Sequence, residues 1–303
     1  MTKPVRVFRV GVIGAGRVGA VLAAALRSAG HEVVAAAGES DASRARIDVL
    51  LPGVRAGKPT EVARRSDLLL LTVPDDMLSN VVTMLSASGA ISEGQVVVHT
   101  SGRHGLAVLE PARAVGARTV AMHPAMTFTG TEVDLPRLSG CVFGVTADEA
   151  DRDLAESLVA DLAGRAMWVP EDRRTLYHAG LAHGANHLVT LVAEAMEILS
   201  AAGAEDPAAT LRPLLSAALD NALEDGDAAL TGPIVRGDVE TVRAHVAGLL
   251  ADAPQTLPSY LAMAHATLDR AVTDGRLLPI RASKMLRVLA AAETSVEQGT
   301  GPR

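Results

Sequence analysis

The stretch VGVIGAGRVGAVLAAALRSAGHEVV, residues 10–34, decides the fold of the first half of this chain. An apolar, β-branched run leads into three glycines at the spacing G-x-G-x-x-G, and a segment of helical periodicity follows over residues 17–28. Gly30 stands where a helix ends, and HEVVAAA after it has the composition of a buried parallel strand. This order predicts a β-α-β unit whose glycine-rich turn binds the pyrophosphate of a dinucleotide.

Each glycine of the motif has its own predicted task. Gly14 allows the tight turn, Gly16 lets the backbone approach a pyrophosphate, and Gly19 lets the helix pack closely on the strand. Arg17 and Val18 stand between them at the start of the helix, where backbone N–H groups face an anion. The alternative is a strand-to-helix turn of the same shape that binds nothing.

The segment GESDASRAR, which follows the second strand, carries conflicting signals about which dinucleotide binds. Glu39 stands about 20 positions beyond the glycines, where a carboxylate accepts hydrogen bonds from the adenosine ribose and favours NAD. Ser40, Ser43 and Arg44 offer hydroxyl and guanidinium donors for the 2′-phosphate of NADP. Arg46 is better explained as a solvated residue of a surface helix. These residues leave the choice of dinucleotide open.

Composition excludes several classes of function. The 303 residues carry a formal net charge of −7 and only 2% aromatic residues, so the basic surface and stacking platforms of a nucleic-acid-binding protein are missing. The single cysteine, Cys141, forms no intrachain disulfide and suits a reducing compartment. No apolar run reaches the ~18 residues of a membrane span. We expect a cytoplasmic protein that binds neither nucleic acid nor membranes.

Strand and helix patterns alternate along the chain as far as Pro170. Apolar runs of strand length recur with helical patterns between them, as DLLLLTVP, GQVVVHTSG, RTVAMHP, GCVFGVT and RAMWVP. From Glu171 onward the periodicity is helical, with no convincing strand. The sequence therefore predicts an α/β protein, with an N-terminal doubly wound Rossmann domain over residues 1–170 and a C-terminal all-α domain over residues 171–303.

Three segments stand directly after predicted strands, where open parallel sheets bind their ligands. We expect Val73 and Pro74 of TVPDD, and Thr100 of HTSG, to contact the cofactor. Ser101 follows in a tight turn whose hydroxyl and amides would face the nicotinamide or the substrate. In MHPAMTF, His123 precedes a proline, which forces an extended backbone and directs the imidazole out of the turn.

The helical domain begins with LYHAGLAHGANHLVTLVAEAMEIL, an apolar helix that carries four polar residues of interest. A helical wheel places His178 and Asn186 on one side, and the pair His183 and His187 on another. That pair lacks the glutamate and the third ligand of a zinc site, so we predict no metal. A buried amide without a partner costs about 1–3 kcal/mol, so we expect Asn186 to be hydrogen-bonded to a ligand.

These motifs together resemble a two-domain family in which a Rossmann-like NADP-binding domain precedes a helical domain of unknown function. The family belongs to the 6-phosphogluconate dehydrogenase-like superfamily, with ketopantoate reductases, pyrroline-carboxylate reductases and prephenate dehydrogenases. The resemblance covers nearly the whole chain and rests on GAGRVG, TVPDD, HTSG, HPAMTF, YHAGLAHGAN and LTGPIVRGD. It implies NADP(H) as the cofactor, reduction of a small carbonyl or imine compound, and a homodimer formed through the helical domain.

The resemblance also suggests ketopantoate, a 2-oxo acid of pantothenate synthesis, as the first substrate to consider. Reductases of this superfamily carry a lysine four residues before the substrate-binding asparagine, and this chain has Ala182 there. We expect His123 or His178 to replace the lysine as the acid, with Asn186 and Ser101 orienting the carbonyl.

Two other functions stay open at this point. Reduction of an imine or of a deazaflavin is one, since an imine is activated by protonation at nitrogen and can dispense with the lysine. The alanine at position 182 also fits a dinucleotide-binding sensor that has lost its chemistry. Arg236 in GPIVRGD either binds a substrate carboxylate or pairs with a neighbour beside a helix that Asp238 caps.

Overall fold

The computed structural model describes residues 6–299 of the chain, with side chains as far as Thr294. The chain divides into two compact units, of which the first ends at Gly184 and the second begins at Ala185. The predicted boundary between residues 170 and 171 lies shortly before this division, just after the last strand.

The described part of the first unit contains one eight-stranded sheet. Its strands are β1 (Arg9–Ile13), β2 (Glu32–Ala37), β3 (Arg55–Ala56), β4 (Leu68–Leu71), β5 (Val96–His99), β6 (Arg118–Pro124), β7 (Val142–Ala147) and β8 (Arg165–Trp168). They lie in the order β3-β2-β1-β4-β5-β6-β7-β8, and only β6 and β7 pair antiparallel. The predicted doubly wound Rossmann fold is confirmed. The strand order reverses at β1, so the carboxyl ends of β1, β4, β5 and β6 share one ligand-binding edge.

The short strand β3 was not predicted, because two residues are too few to show a period. The helix after the glycine motif was predicted with its observed bounds. Both outcomes follow from length, since a long periodic segment carries a pattern that a short strand cannot.

The described residues also form thirteen α-helices, joined by turns and short 3-10 segments. They are α1 (Arg17–Ser28), α2 (Asp41–Leu50), α3 (Pro59–Arg65), α4 (Asp75–Ala87), α5 (Glu110–Arg113), α6 (Asp134–Arg137), α7 (Arg152–Asp161), α8 (Arg174–Ala201), α9 (Pro207–Asp225), α10 (Pro233–Arg236), α11 (Val239–Asp252), α12 (Leu257–Thr273) and α13 (Pro279–Gly299). Residues 185–299 contain no strand, which confirms the predicted all-α domain. Among the described residues, none of the helices combines the length and the apolar composition that crossing a membrane requires.

Buried side chains of the sheet alternate between its two faces. Leu68 and Leu70 join a core with α1 and α7, whereas Leu69 and Leu71 join a second core with α3 and α4. Helices therefore cover both faces of the sheet, which explains why its strands are continuous apolar runs instead of alternating ones.

The second unit has a core of its own, built by α11, α12 and α13. The helices α8 and α9 bury far fewer side chains. Among their described residues, Arg174 and Leu211 are the buried ones. Large apolar side chains of these two helices stay exposed in the single chain, including Leu176, Leu188, Val189, Leu191, Leu214, Leu219 and Leu223.

The turn between β1 and α1 shows which glycines the fold itself requires. Gly14 has a φ of +91°, and a Cβ on it would lie 2.7 Å from the Thr72 carbonyl carbon. A Cβ on Gly19 would collide with Thr72 Oγ1 and lie 2.6 Å from the Gly14 carbonyl oxygen. A Cβ on Gly16 would meet one atom within 4 Å, the Gly14 oxygen at 3.8 Å. The fold thus requires Gly14 and Gly19 but leaves Gly16 free.

Gly19→Ala is expected to lower the free energy of unfolding by about 1–3 kcal/mol, because the added methyl overpacks the contact between α1 and Thr72. Gly16→Ala is the matched control, expected to stay within about 0.5 kcal/mol of the native protein. Urea denaturation measures both. Equal stability of the two variants would show that Thr72 moves aside and that Gly19 is not a packing requirement.

Candidate functional site

The amino end of α1 fits an anion, as the glycine motif predicts. Gly16 is its N-cap, no side chain caps it, and its first turn contains no acidic residue. The N–H groups of Arg17, Val18 and Gly19 begin the helix and therefore lack intrahelical acceptors. The packing of the fold leaves room for a side chain at Gly16, and glycine leaves that space empty. The empty space gives a pyrophosphate access to these N–H groups.

The residues predicted to bind a 2′-phosphate lie together beyond the end of β2. Ser40 caps α2 by accepting the N–H of Ser43 at 3.1 Å, and the two hydroxyls are 2.9 Å apart. Arg44 is exposed and folds back, donating to the Glu39 carbonyl oxygen at 2.8 Å and to Asp41 at 2.7 Å. One guanidinium and two hydroxyls thus occupy an exposed corner next to the glycine turn, whose Gly14 and Ala15 N–H groups bind the Ala37 carbonyl oxygen.

Arg46 does not behave as the solvated residue that was expected. It is partly buried, and a Cβ on Gly130 would lie 2.7 Å from its Nε and 3.0 Å from Arg17 Cα. The fully buried carboxylate of Asp134 fixes this loop by accepting the Gly130 N–H at 2.7 Å. The expectation was wrong because a contact with a loop far along the chain leaves no local pattern in the sequence.

The residues after β4 adjoin the glycine turn, and Thr100 after β5 adjoins the end of β4; their contact with a cofactor stays a prediction. Thr72 donates its hydroxyl proton to the Gly14 carbonyl oxygen at 2.7 Å, and the Val73 nitrogen lies against Gly14 as well. Pro74 occupies the N-cap position of α4. Thr100 donates its N–H to the end of β4 at 3.3 Å. These positions line the carboxyl edge of the sheet where strand order reverses.

The loop after β5 is organised by His99, a residue that sequence reasoning passed over. Its Nε2–H donates to the Gly105 carbonyl oxygen at 2.8 Å, and its Nδ1 accepts the Ser101 N–H at 3.1 Å. Burial lowers the pKa of His99 to about 3, so the imidazole stays neutral. The Ser101 hydroxyl accepts the His104 N–H at 3.1 Å and is nearly buried. Ser101 therefore orders this loop, and its contact with a ligand stays a prediction.

His123 lies near the end of β6 in the extended backbone that its following proline predicts, paired with Gly144 of β7. Its Nδ1 is 3.0 Å from the hydroxyl of Tyr177, and its ring centroid is 5.7 Å from that of His178. Burial, with the positive charges of His178 and Arg174 as smaller causes, lowers the pKa of His123 to about 4. At neutral pH the imidazole is therefore uncharged, and it acts as a neutral donor or acceptor and not as an imidazolium acid.

Two glycines leave room for these rings. A Cβ on Gly102 would collide with the His178 ring and lie 3.2 Å from His123 Cδ2. A Cβ on Gly144 would lie 2.5 Å from the Tyr177 ring and hydroxyl. The structure thus brings the predicted His123 and His178 together beside the loop after β5, and it adds Tyr177, which was not predicted.

Arg174, at the start of α8, is a third residue that sequence reasoning missed, after His99 and Tyr177. It is fully buried and donates to the Ser101 carbonyl oxygen at 2.7 Å, the Thr146 hydroxyl at 3.0 Å and the Gly144 carbonyl oxygen at 3.3 Å. Arginine is mostly exposed in proteins, and nothing in the local sequence marks this one as an exception. It ties the loop after β5 to β7 and to the beginning of α8.

The polar residues predicted in the middle of α8 are exposed. Asn186 is exposed together with the whole of residues 183–191, so the expectation that burial would force a partner on its amide was wrong for the single chain. Apolar neighbours in sequence do not bury a residue when no helix of the same chain packs on that face. His183 and His187 are exposed too, and the described residues contain no group of three side chains that could hold a metal ion.

The segment around Arg236 has the predicted cap. Asp238 accepts the Thr241 N–H at 3.2 Å and the Thr241 hydroxyl at 2.7 Å, and these bonds lower the pKa of its carboxyl. Arg236 itself is exposed at the end of α10. Its carboxylate-binding role stays a prediction.

Two family models match this chain. Residues 2–124 match a Rossmann-like domain, and residues 141–267 match a domain of unknown function, DUF2520. The chain joins a Rossmann-like domain to a DUF2520 domain. The two-domain resemblance drawn from the motifs is therefore confirmed. No curated protein matches the chain.

Several solved structures share the fold of this chain along most of its length. A candidate NADP oxidoreductase from Bacteroides fragilis is 21% identical with a TM-score of 0.75, covering 87% of this chain and 98% of that one. The Streptomyces aurantiacus imine reductase is 17% identical with a TM-score of 0.63, covering 93% and 99%. An Aspergillus terreus reductive aminase, solved with NADPH and ethyl levulinate, is 17% identical with a TM-score of 0.61, covering 92% and 99%. Likeness at these identities establishes the fold.

His99 should make the stability of the protein sensitive to acid. Its pKa falls from 6.5 to about 3 on folding, so between these values the unfolded chain binds more protons. The free energy of unfolding must then decrease as the pH drops from 6.5 towards 3. His99→Gln keeps a donor and an acceptor but does not titrate. The difference in the free energy of unfolding between the native protein and this variant should therefore shrink at low pH. Urea denaturation at pH 7 and pH 4.5 measures this, and a constant difference would contradict it.

Proposed function

We propose that this protein is an NADPH-dependent reductase of a small compound with a C=N or C=O bond. The observation that carries the proposal is the gap at Gly16, which the fold does not require, on the same sheet edge as the ring cluster of His123. An imine reductase from Myxococcus stipitatus and the Aspergillus terreus reductive aminase, both of this fold, were solved with NADP+ and NADPH.

The dinucleotide would be held at two places. The N–H groups at the start of α1 would bind the pyrophosphate, and Ser40, Ser43 and Arg44 would bind the 2′-phosphate, with one guanidinium to pair with its charge. Val73, Pro74 and Thr100 would line the path between the adenine half and the reacting ring. When bound, NADPH supplies the hydride.

The neutral state of His123 favours an imine over a ketone. Each turnover must deliver a proton to the heteroatom of the reduced bond, and a neutral imidazole is a weak acid. A C=N nitrogen is more basic than a C=O oxygen and accepts a proton from a weak donor more easily. A small cyclic imine is therefore the first substrate to test, with ketopantoate beside it because the sequence motifs suggested that compound first.

Calorimetric titration should find NADPH bound more tightly than NADH. Arg44→Ala removes the guanidinium at the 2′-phosphate and is expected to weaken NADPH binding about ten- to hundred-fold while changing NADH binding little, since a charge-assisted phosphate contact contributes about 1.5–3 kcal/mol. The exposed Arg64 of α3, which donates to the Ser88 carbonyl oxygen, provides the control Arg64→Ala. Equal loss of both dinucleotides in Arg44→Ala would contradict the assignment of the phosphate.

The absorbance of reduced nicotinamide then distinguishes an imine reductase from a 2-oxo acid reductase and from a sensor without turnover. Oxidation of NADPH on addition of 1-pyrroline supports the imine reductase, and oxidation by ketopantoate alone would replace the imine with the 2-oxo acid. Tight binding without oxidation by either compound would favour the sensor that keeps the dinucleotide but has lost its chemistry.

We also infer a homodimer formed through the second unit. Val189 is 71% exposed, Leu214 64% and Leu223 80%, on helices that bury few side chains of their own. Large exposed apolar side chains concentrated on two helices are typical of an association surface, because leaving them in water forfeits hydrophobic stabilisation. A second copy of this chain would cover them.

Light scattering coupled to size exclusion tests the dimer. Val189→Glu and Leu223→Glu each place a charge on the apolar surface and should convert the dimer to a monomer. Val49→Glu, at a residue of α2 that is 65% exposed, is the matched control and should leave the dimer intact. A native protein that elutes as a monomer at micromolar concentration would refute the inference.

A further inference from the structure

Tyr177 and His123 form a hydrogen-bonded pair, and the function proposed above gives the phenol no role. The phenol oxygen is 3.0 Å from His123 Nδ1, and the two rings are nearly perpendicular at 86°. Gly144, paired with His123 across β6 and β7, is the residue whose missing side chain makes space for the phenol. The pair is therefore built by three separate elements, β6, β7 and α8.

The direction of this hydrogen bond follows from geometry. If Nδ1 carried the proton and donated it, the phenol would have to donate elsewhere, and its other acceptor is the His123 carbonyl oxygen at 3.5 Å. That distance is beyond a normal O–H···O bond, whereas 3.0 Å is within the range for a bond to Nδ1. The shorter contact therefore favours donation from the phenol to Nδ1, which leaves the ring proton of neutral His123 on Nε2.

The free side of the imidazole faces the loop after β5. Cδ2, the carbon next to Nε2, is the His123 atom that a Cβ on Gly102 would meet at 3.2 Å. Nε2 therefore belongs to the edge of the ring that lies beside the loop after β5, at the sheet edge where ligands of this fold bind.

We propose that Tyr177 is a positioning residue that fixes His123 as its Nε2–H tautomer and refills the proton that His123 gives to the substrate. The refilling step rests on the proposed reductase function, while the tautomer does not. When the heteroatom of the reduced bond takes the Nε2 proton, the phenol proton moves to Nδ1, so the imidazole stays neutral throughout. The phenolate left behind lies in the field of the Arg174 guanidinium. When Nε2 takes a proton from water after the product leaves, the Nδ1 proton returns to the phenolate, and the Nε2–H tautomer is restored.

The charges around the pair favour this arrangement. The Arg174 guanidinium and the neighbouring His178 both oppose protonation of His123. Asp75, the carboxylate that favours it, is already paired with Arg103 at 3.3 Å. Burial raises the pKa of Tyr177, so the phenol holds its proton at neutral pH. Arg174 opposes that rise, because its positive charge stabilises the phenolate.

The chain contains a matched control for the pair. Tyr260 of α12, the second of its two tyrosines, lies with its hydroxyl 3.0 Å from Nδ1 of His245, and the rings meet at 81°. Tyr260→Phe removes the same atom from the same kind of contact within the second unit. Tyr177→Phe can therefore be compared with a variant of equal chemical size.

Nitrogen-15 NMR of the imidazoles tests the pair without any substrate. In the native protein we expect His123 to carry its proton on Nε2 and to show the Nδ1 shift of a hydrogen-bonded acceptor. In Tyr177→Phe the Nδ1 resonance should move to the value of a free acceptor and the pKa of His123 should rise, with neither change in Tyr260→Phe. A native His123 protonated on Nδ1 would overturn the proposal. An unchanged Nδ1 resonance and pKa of His123 in Tyr177→Phe would overturn it too. If that variant folds poorly, the spectrum of the native protein still decides.

Turnover measurements test the refilling step, in which Tyr177 replaces the proton that His123 gives to the substrate. With NADPH and 1-pyrroline, Tyr177→Phe should lower kcat about ten- to hundred-fold with little change in KM, while Tyr260→Phe keeps the native kcat. An unchanged kcat in Tyr177→Phe would overturn the refilling step. A native protein without turnover on any tested imine or ketone would overturn the reductase function, and the NMR result would still decide whether Tyr177 fixes the tautomer.

Discussion

A buried guanidinium is the constraint on which the candidate site depends. Arg174 is withdrawn from water, and its described hydrogen bonds go to two carbonyl oxygens and one hydroxyl on β7 and on the loop after β5. Removing a charged group from water is costly, so these acceptors must be held in place for the fold to be stable. Since α8 begins at Arg174, the same bonds place Tyr177 and His178, one turn later, against His123.

The same charge shapes the chemistry of the cluster. A guanidinium beside His123 and Tyr177 opposes a second positive charge and stabilises a negative one, which adds to the effect of burial on His123. His99, on the neighbouring strand, is also held neutral and serves to order its loop. The sheet edge therefore presents two uncharged imidazoles, those of His99 and His123, beside a buried cation. Such a site suits proton transfer between weak acids better than the binding of another cation.

The glycines of the motif divide into two groups for different physical reasons. Gly14 and Gly19 are demanded by close packing against Thr72, so they would be needed in a turn that binds nothing. Gly16 has room for a side chain, and the helix end that it opens has no cap. The spacing of three glycines is therefore weak evidence of a ligand by itself, while the one glycine that packing does not explain is the stronger evidence.

Much of this molecule could be predicted from its sequence, and the limit has a physical cause. Apolar runs, helical periodicity and the glycine spacing act over a few residues, so the strands, α1, the Rossmann topology and the all-helical second part were determined locally. The tertiary structure alone decided that Arg174 is buried, that Tyr177 bonds His123 across 54 positions, and that Arg174 bonds Ser101 across 73. It also left Asn186 exposed on a helix whose composition predicted burial. Sequence patterns record which side chains share a face, whereas only the packed chain determines what lies opposite that face.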